Sequence, residues 1–274
     1  MQYDPIKKSL GKVFNKTPFL RILFYKLLDL LLLRSWHIRK EIRLWASEIG
    51  KVNPGKTRYI LDAGSGFGQY TYFLSNLNRQ WFVDAVDVKD EQIEDCNKFF
   101  TRINRKNVLF ENADLTCFSK PDRFDLVLSV DVMEHIAEDE LVFRNFYDCL
   151  TQSGMLLIST PSDQGGSDVH DHNVKGSFID EHVRDGYNMN DIQLKLKQAG
   201  FRKTEAKYSY GAPGKIAWNL SMKYPILLLG ASKIFFIFLP FYYLITFPVA
   251  FLCNWLDTNI NHKTGTGLIV KAWK

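Results

Sequence analysis

One carboxylate and three glycines at fixed spacing are the residues of this 274-residue chain that best suit ligand binding. Asp62 is followed by Gly64, Gly66 and Gly68 in a D-x-G-x-G-x-G pattern. Glycines permit a tight turn and a close approach of the backbone to a ligand. Dinucleotide enzymes usually carry G-x-G-x-x-G, which Gln69 interrupts here. A carboxylate beside the turn suits a cationic ligand and would repel a diphosphate.

Two further acids follow the next β-rich runs. Asp87 ends one run at roughly the twenty-residue offset expected for a carboxylate that binds ribose hydroxyls. Asp114 follows the next run, where it can accept a hydrogen bond from an exocyclic amine. The glycines alone are weak evidence, but their combination with acids after successive strands predicts a binding site for a cationic nucleoside ligand.

These residues lie within an alternation of short β-rich runs and longer helical patterns. Continuous apolar strands separated by helices are typical of a parallel sheet covered on both faces. The predicted strands are Tyr59–Ala63, Trp81–Val88, Val108–Glu111, Phe124–Val130, Met155–Ser159, Phe201–Tyr210 and Thr266–Trp273, and the helices between the earlier strands are Tyr70–Leu77, Glu91–Ile103, Leu141–Leu150 and Met189–Gln198.

The chain resembles the class I S-adenosylmethionine (SAM) dependent methyltransferases, in the type-11 group that includes quinone-biosynthesis enzymes. The resemblance covers about residues 57–210 and includes 60–68, 86–88, 112–115, Asp131-Val-Met-Glu-His135 and Gly200-Phe201. It implies an α/β fold, a doubly wound seven-stranded sheet whose last strand is antiparallel. SAM is therefore the expected cofactor, because it carries an ammonium and a sulfonium but no pyrophosphate.

The resemblance also implies a role for each residue of the cofactor site. Asp114 is expected at the adenine amine, Asp87 at the ribose hydroxyls, and Ser129 near the sulfonium. The adenine faces are assigned to Val88 and Leu115, and the methionine end to Asp62, Gly64, Ser65, Gly66 and Gly68.

The sequence specifies the methyl acceptor and the catalytic base less closely than it specifies the cofactor site. After the fourth strand the chain lacks the Asn-Pro-Pro-aromatic signature of amide and adenine methyltransferases. A small or lipid-like acceptor with an oxygen nucleophile is therefore expected rather than nucleic acid. His135 and His182 are the candidate bases, with His170 and His172 behind them, although each also suits a structural role. Methyl transfer from SAM needs no metal, so we expect no metal site in the loop 168–172.

The domain organisation predicts membrane contact. Residues 1–53 form a basic, partly apolar helical cap, 54–210 the core, 211–263 an apolar helical insertion, and 264–274 the last strand. Because the insertion interrupts two neighbouring strands, a single crossing would break the sheet. It should dip into one leaflet or lie flat, with bends at Pro240 and Pro248. A soluble lid is the alternative.

Composition favours a cytoplasmic protein at the inner face of a membrane. The net charge is +5, and the four cysteines are scattered without a C-x-x-C pair, which fits a reducing compartment. The cations concentrate in the N-terminal region beside apolar residues. This arrangement suits binding to an anionic lipid surface. Two other function classes stay open: a non-catalytic, membrane-associated SAM-binding partner protein, and a nicotinamide-dependent oxidoreductase, which Gln69 disfavours. The oligomeric state is not predicted.

Overall fold

The strands of the core form where the apolar runs predict them. The computed structural model describes residues 17–53, 55–165, 183–232 and 234–274. The strands are β1 (Tyr59–Ala63), β2 (Phe82–Asp87), β3 (Val108–Asn112), β4 (Phe124–Val130), β5 (Leu150–Pro161), β6 (Lys203–Ser209) and β7 (Gly267–Trp273). The described α-helices are α1 (Pro18–Leu31), α2 (Leu33–Val52), α3 (Gln69–Leu77), α4 (Asp90–Arg102), α5 (Asp139–Cys149), α6 (Met189–Gln198), α7 (Ala212–Trp218), α8 (Tyr224–Ala231) and α9 (Phe235–Asn259).

The seven strands form one sheet in the order β3-β2-β1-β4-β5-β7-β6. Strands β1 to β5 pair in parallel, and β7 runs antiparallel to both β5 and β6. This confirms the predicted fold class. The strand order reverses between β1 and β4, and a crevice outside the carboxyl ends of such strands is the usual ligand site of an open α/β sheet.

Both faces of the sheet are covered. The neighbouring residues Ile60 and Leu61 of β1 are both buried, yet they belong to different apolar clusters. Successive side chains of a strand point to opposite faces, so two clusters require helices on each side. The continuous apolar runs in the sequence follow from this double burial.

The insertion between β6 and β7 is a helical hairpin. Residues 212–231 are helical throughout, with a π-helical segment at Asn219–Lys223, and α9 returns antiparallel to them. The hydroxyls of Tyr242 and Tyr243 donate to the carbonyls of Leu220 and Ser221, both at 2.8 Å. These two bonds join the arms of the hairpin.

The predicted bends at Pro240 and Pro248 are wrong. Both prolines lie inside the continuous helix α9. The chain reverses instead after α8, where the C-cap residue Ser232 has extended backbone. A proline removes one helical hydrogen bond, but the turns on either side keep their own.

The base of the hairpin is joined to the core by the buried carboxylate of Asp257. Its Oδ1 lies 2.8 Å from His37 Nε2 and accepts from the Tyr210 amide at 3.2 Å. Its Oδ2 accepts from the Gly214 amide at 3.0 Å and lies 3.1 Å from His262 Nε2. Burial acts to raise the pKa of Asp257, but the hydrogen bond and charge of His37, the charge of His262 and the hydrogen bond from the Gly214 amide together outweigh it, so the pKa is lowered. Burial lowers the pKa of His37, so a neutral imidazole donates to an ionised carboxylate.

Replacing Asp257 by Ala is expected to destabilise the protein by about 3–5 kcal/mol, because it leaves buried donors from α2, the loop after β6 and α7 without an acceptor. The midpoint of thermal unfolding, followed by circular dichroism, should fall by on the order of 10 °C. The matched control is Glu94→Ala, which removes an exposed acid paired with Lys98 and should shift the midpoint little. Equal midpoints for the two variants would contradict this account of Asp257.

Candidate functional site

The glycine turn after β1 has the backbone that the sequence predicts. Gly64, Gly66 and Gly68 have φ angles of +80°, +53° and +81°, in the left-handed region that side chains disfavour. A Cβ atom on Gly64 would lie 2.2 Å from Val132 Cγ2. The turn therefore requires glycine for its conformation and, at Gly64, for its close packing on the segment after β4.

Asp87 lies against this turn at the carboxyl end of β2. Its Oδ2 accepts from the amide of Gly66 at 2.9 Å, and its Oδ1 accepts from the amide of Lys89 at 3.0 Å. Each oxygen therefore has one backbone donor that sets its position and further lone pairs for other donors. This arrangement suits a carboxylate that receives two ribose hydroxyls.

Asp62 is a buried carboxyl beneath the turn. It accepts a hydrogen bond from Thr71 Oγ1 at 2.5 Å. The pKa of Asp62 is raised to about 7, mainly by burial and also by the charge of Asp87, while the hydrogen bonds from Thr71 oppose the shift. A bound ammonium group would favour the ionised form and lower this pKa.

Two buried hydroxyls in the crevice have no hydrogen-bond partner among the described residues. They are Ser65 Oγ, on a residue that is 8% exposed, and Ser129 Oγ, on a residue that is fully buried. An unpaired buried hydroxyl costs about 1–3 kcal/mol. These orphaned hydroxyls and the glycine turn fit a polar ligand such as SAM, whose hydroxyl, ammonium and carboxylate groups need partners.

The residues predicted at the adenine follow β2 and β3. Asp114 is exposed, and its Oδ1 accepts from the amide and the hydroxyl of Thr116, both at 2.8 Å. Val88 is also exposed, whereas Leu115 is buried in the core cluster and offers only a small edge to a ligand. Asp114 and Val88 therefore present more surface to an adenine ring than Leu115 does.

The segment after β4 holds a titratable group that the sequence reading missed. Glu134 is buried and its Oε2 accepts from Thr160 Oγ1 at 3.1 Å. Burial raises the pKa of Glu134 to about 7, against the opposing hydrogen bond from Thr160. The predicted base His135 is the next residue, in the same 3₁₀ turn, and is half-buried. Glu134 is part of the motif Asp131-Val-Met-Glu-His135, but the motif does not reveal that its side chain is buried.

The other candidate histidines cannot be compared with the site. His182, the second predicted base, lies outside the described residues, and so do His170 and His172.

Helix α1 packs against the glycine turn, which the sequence did not reveal. Arg21 Nη2 and the Tyr25 hydroxyl donate to the carbonyl of Phe67 at 2.8 and 2.5 Å. Gln69 Nε2 donates to Asp29 Oδ1 at 2.9 Å. The charged side chains of Arg21 and Asp29 therefore make the contacts that place the N-terminal cap over the site.

Residues 60–154 match the family model of a methyltransferase domain. Among curated relatives, the malonyl-[acyl-carrier protein] O-methyltransferase of Bacillus anthracis is 30% identical over 111 residues, 40% of each chain. The phosphoethanolamine N-methyltransferase of Triticum aestivum is 28% identical over 158 residues, 57% of this chain and 30% of that protein. The matched segments thus span less than half the length of these relatives, and the type-11 subgroup stays a prediction.

Solved structures share the fold at low identity. Haemonchus contortus phosphoethanolamine N-methyltransferase 2 in complex with SAM aligns with a TM-score of 0.57 and 18% identity, over 84% of this chain and 51% of that chain. A putative sarcosine dimethylglycine methyltransferase from Galdieria sulphuraria aligns with a TM-score of 0.57 and 14% identity, over 86% and 85%.

The raised pKa of Asp62 predicts that SAM affinity rises with pH. Below about pH 7 the carboxyl is protonated and must lose its proton to pair with an ammonium, so affinity should fall by up to about tenfold per pH unit. Titration calorimetry one unit either side of that pKa tests this, and Asp62→Asn controls for titration of the ligand itself. An identical pH dependence in the Asn variant would contradict the role of Asp62.

Proposed function

Since the chain carries a methyltransferase domain of the class I, SAM-dependent type, we propose that it methylates a small or lipid-like acceptor, through an acceptor oxygen, at a membrane surface. The observation that carries the proposal is an exposed apolar hairpin whose base contacts the same N-terminal cap that covers the glycine turn. Ser221 Oγ donates to the carbonyl of Leu31 at 3.3 Å, and the rings of Trp36 and Phe251 lie 4.9 Å apart.

Bound SAM supplies an electrophilic methyl group, so the protein mainly binds and positions the reactants. Asp62 suits the ammonium, Asp87 the ribose hydroxyls, and the orphaned hydroxyls of Ser65 and Ser129 the remaining polar groups. Helix α1 covers the turn through Phe67 and limits the entry of water there. Each of these roles follows from the donors and acceptors that the crevice presents.

An oxygen acceptor must lose a proton, and the turn after β4 offers two groups to take it. Glu134 has a pKa of about 7 because it is buried, and a base whose pKa lies near the working pH is most effective. The imidazole of His135 follows it directly. Both candidates lie at the carboxyl ends of the strands, where open α/β sheets bind their ligands.

The proposed chemistry is tested with methyl-labelled SAM and a cell lipid extract, in which we expect labelled lipid and S-adenosylhomocysteine. Glu134→Gln and His135→Ala are compared with Glu138→Gln, which changes an exposed acid. The variant that lacks the base should keep SAM affinity and lose turnover by roughly 10²- to 10⁴-fold. Full turnover in all three variants would exclude both candidates and leave His182 to be tested.

The alternative is a non-catalytic SAM-binding partner protein. It would be supported if the protein binds SAM but forms no S-adenosylhomocysteine when incubated with lipid, small-molecule or glycan fractions.

The hairpin supports membrane contact because its apolar side chains face outward. The most apolar 18-residue window of helix α9 has a mean hydropathy of 2.0, so the helix is long and apolar enough to cross a bilayer by length and composition alone. The tip of the hairpin exposes large apolar side chains by 50–75% each: Ile226, Leu227, Phe236, Ile237, Phe238, Phe241, Leu244 and Ile245. A soluble lid would bury such residues on the core, so this exposure disfavours that alternative.

The sheet topology favours a dip into one leaflet over a span. Ser209 and Gly267, the residues that flank the insertion, pair with each other at the edge between β6 and β7. Both arms therefore start on the same side of any membrane.

Helix α8 is about 12 Å long, which is close to the roughly 15 Å hydrocarbon depth of one leaflet. Trp218 and Lys223, whose ring centroid and Nζ lie 6.0 Å apart, precede α8 and suit the headgroup layer.

The location we propose is the inner, cytoplasmic face of the membrane. The four cysteines, which are all described, are unpaired thiols, in keeping with a reducing compartment.

Liposome flotation with a substituted hairpin tip tests membrane binding. Phe236→Ser, Ile237→Ser and Phe241→Ser together should move the protein from the floating to the soluble fraction. The matched control replaces three exposed leucines of the core, Leu109, Leu141 and Leu194, and should float like the parent chain. Part of the binding should weaken at higher salt or without anionic lipid, while the apolar part persists.

Equal recovery of the tip variant and the parent chain in the soluble fraction would reject membrane binding. If size-exclusion chromatography then showed that the tip variant alone is a smaller species, the hairpin would be a protein interface.

A further inference from the structure

Arg34 brings a positive charge from the N-terminal cap to the carboxyl edge of β4. Its Nη1 forms an ion pair with Asp131, and both side chains are 34% exposed. Its backbone amide donates to the Tyr210 hydroxyl at 3.2 Å. The residue is thus held at its backbone by the loop after β6, and at its side chain by the segment after β4.

The Arg34 charge acts on groups on both sides of the crevice. Burial raises the pKa of Tyr70, Tyr210 and Glu134, and in each case Arg34 opposes the shift. Tyr70 stands in the first turn of α3, directly after the glycine turn, and its hydroxyl lies 3.3 Å from Ser35 Oγ. Arg34 therefore lies between the glycine turn and the end of β4, where the methionine end of SAM is expected.

The guanidinium is only partly satisfied. Its Nη1 is engaged by Asp131, but Nε, on the other edge, is buried without a partner among the described residues. Ser129 Oγ, near the same strand end, is buried and unpaired as well. A buried donor without an acceptor costs about 1–3 kcal/mol, so these atoms mark a place for a ligand with acceptor oxygens.

The cofactor residues assigned above leave the carboxylate of SAM without a cationic partner. Its methionine end is a zwitterion, and the acids Asp62 and Asp87 suit its ammonium and its ribose but repel its carboxylate. A guanidinium binds a carboxylate through paired, charge-assisted N–H bonds.

We propose that Arg34 binds the α-carboxylate of SAM, so that the N-terminal cap contributes the cation of the cofactor site. Asp131 holds one edge of the guanidinium and leaves the Nε edge for the ligand. The backbone of Asp131 is held by its amide, which donates to the Ser159 carbonyl at 2.9 Å, in spite of a left-handed φ of +52°. This fixed acid makes Arg34 a preset donor rather than a mobile surface cation. The proposal rests on SAM binding but not on the acceptor or the membrane.

The test compares a ligand that has the carboxylate with one that lacks it. Calorimetry is performed with SAM and with 5′-methylthioadenosine, which retains the nucleoside but has no amino-acid group. Arg34→Gln should weaken SAM binding by roughly 10- to 100-fold and change the affinity for 5′-methylthioadenosine less than about twofold. Arg34→Lys should restore part of the loss. The matched control, Arg39→Gln, removes the cap's ion pair with Asp29 and should affect both ligands equally.

Equal losses for both ligands in Arg34→Gln would make Arg34 a structural residue of the cap, and unchanged SAM affinity would remove it from the site. Either result leaves the proposed function standing if the parent chain binds SAM. Failure of the parent chain to bind SAM would instead overturn the proposed function, together with this inference.

Discussion

The buried carboxylate of Asp257 is the constraint on which the arrangement of the appendages depends. An ionised group without access to water must receive hydrogen bonds from the protein, and here its donors come from α2, the loop after β6 and the start of α7. The base of the hairpin therefore cannot move without exposing or orphaning this charge. The same contacts reach the site: Tyr210 donates its amide to Asp257 and accepts from Arg34, which pairs with Asp131. Hairpin, cap and crevice are joined by one series of polar contacts.

Helix α1 of the N-terminal cap shows the opposite of the usual amphipathic pattern. In α1 the buried residues are Arg21 and Tyr25, while apolar side chains on another face are exposed, namely Phe19, Leu23, Leu27 and Leu30. A surface helix in water normally turns its apolar face inward. The polar face of α1 packs against the glycine turn, so its apolar face is exposed. This agrees with the exposed hairpin in pointing to an apolar partner beside the cofactor crevice.

In the proposed function, the raised pKa values of two crevice carboxyls would suit both the binding of a cationic cofactor and the removal of a proton from the acceptor. Burial raises the pKa of both Asp62 and Glu134 to about 7, so neither carboxyl is firmly charged in the free protein. A cation next to Asp62 favours its ionised form. Glu134, at the other strand end, retains a pKa suited to exchange a proton near neutral pH. In the proposed function, these two carboxyls with similar pKa shifts would serve different purposes, because different groups face them.

Local sequence patterns were enough to predict the core sheet and the cofactor turn. Strands β1 and β4 and helix α6 have the predicted bounds, and the D-x-G-x-G-x-G pattern specifies three left-handed positions, because apolar periodicity and backbone freedom are local properties. The tertiary structure alone decided which distant groups meet. His37 contacts an acid 220 positions away, Arg21 bonds to Phe67, and the hairpin reverses after α8 rather than at a proline. Burial in the tertiary structure also raises the pKa of Asp62 and Glu134. Such contacts and pKa shifts depend on what packs around a group, and no short stretch of sequence contains that information.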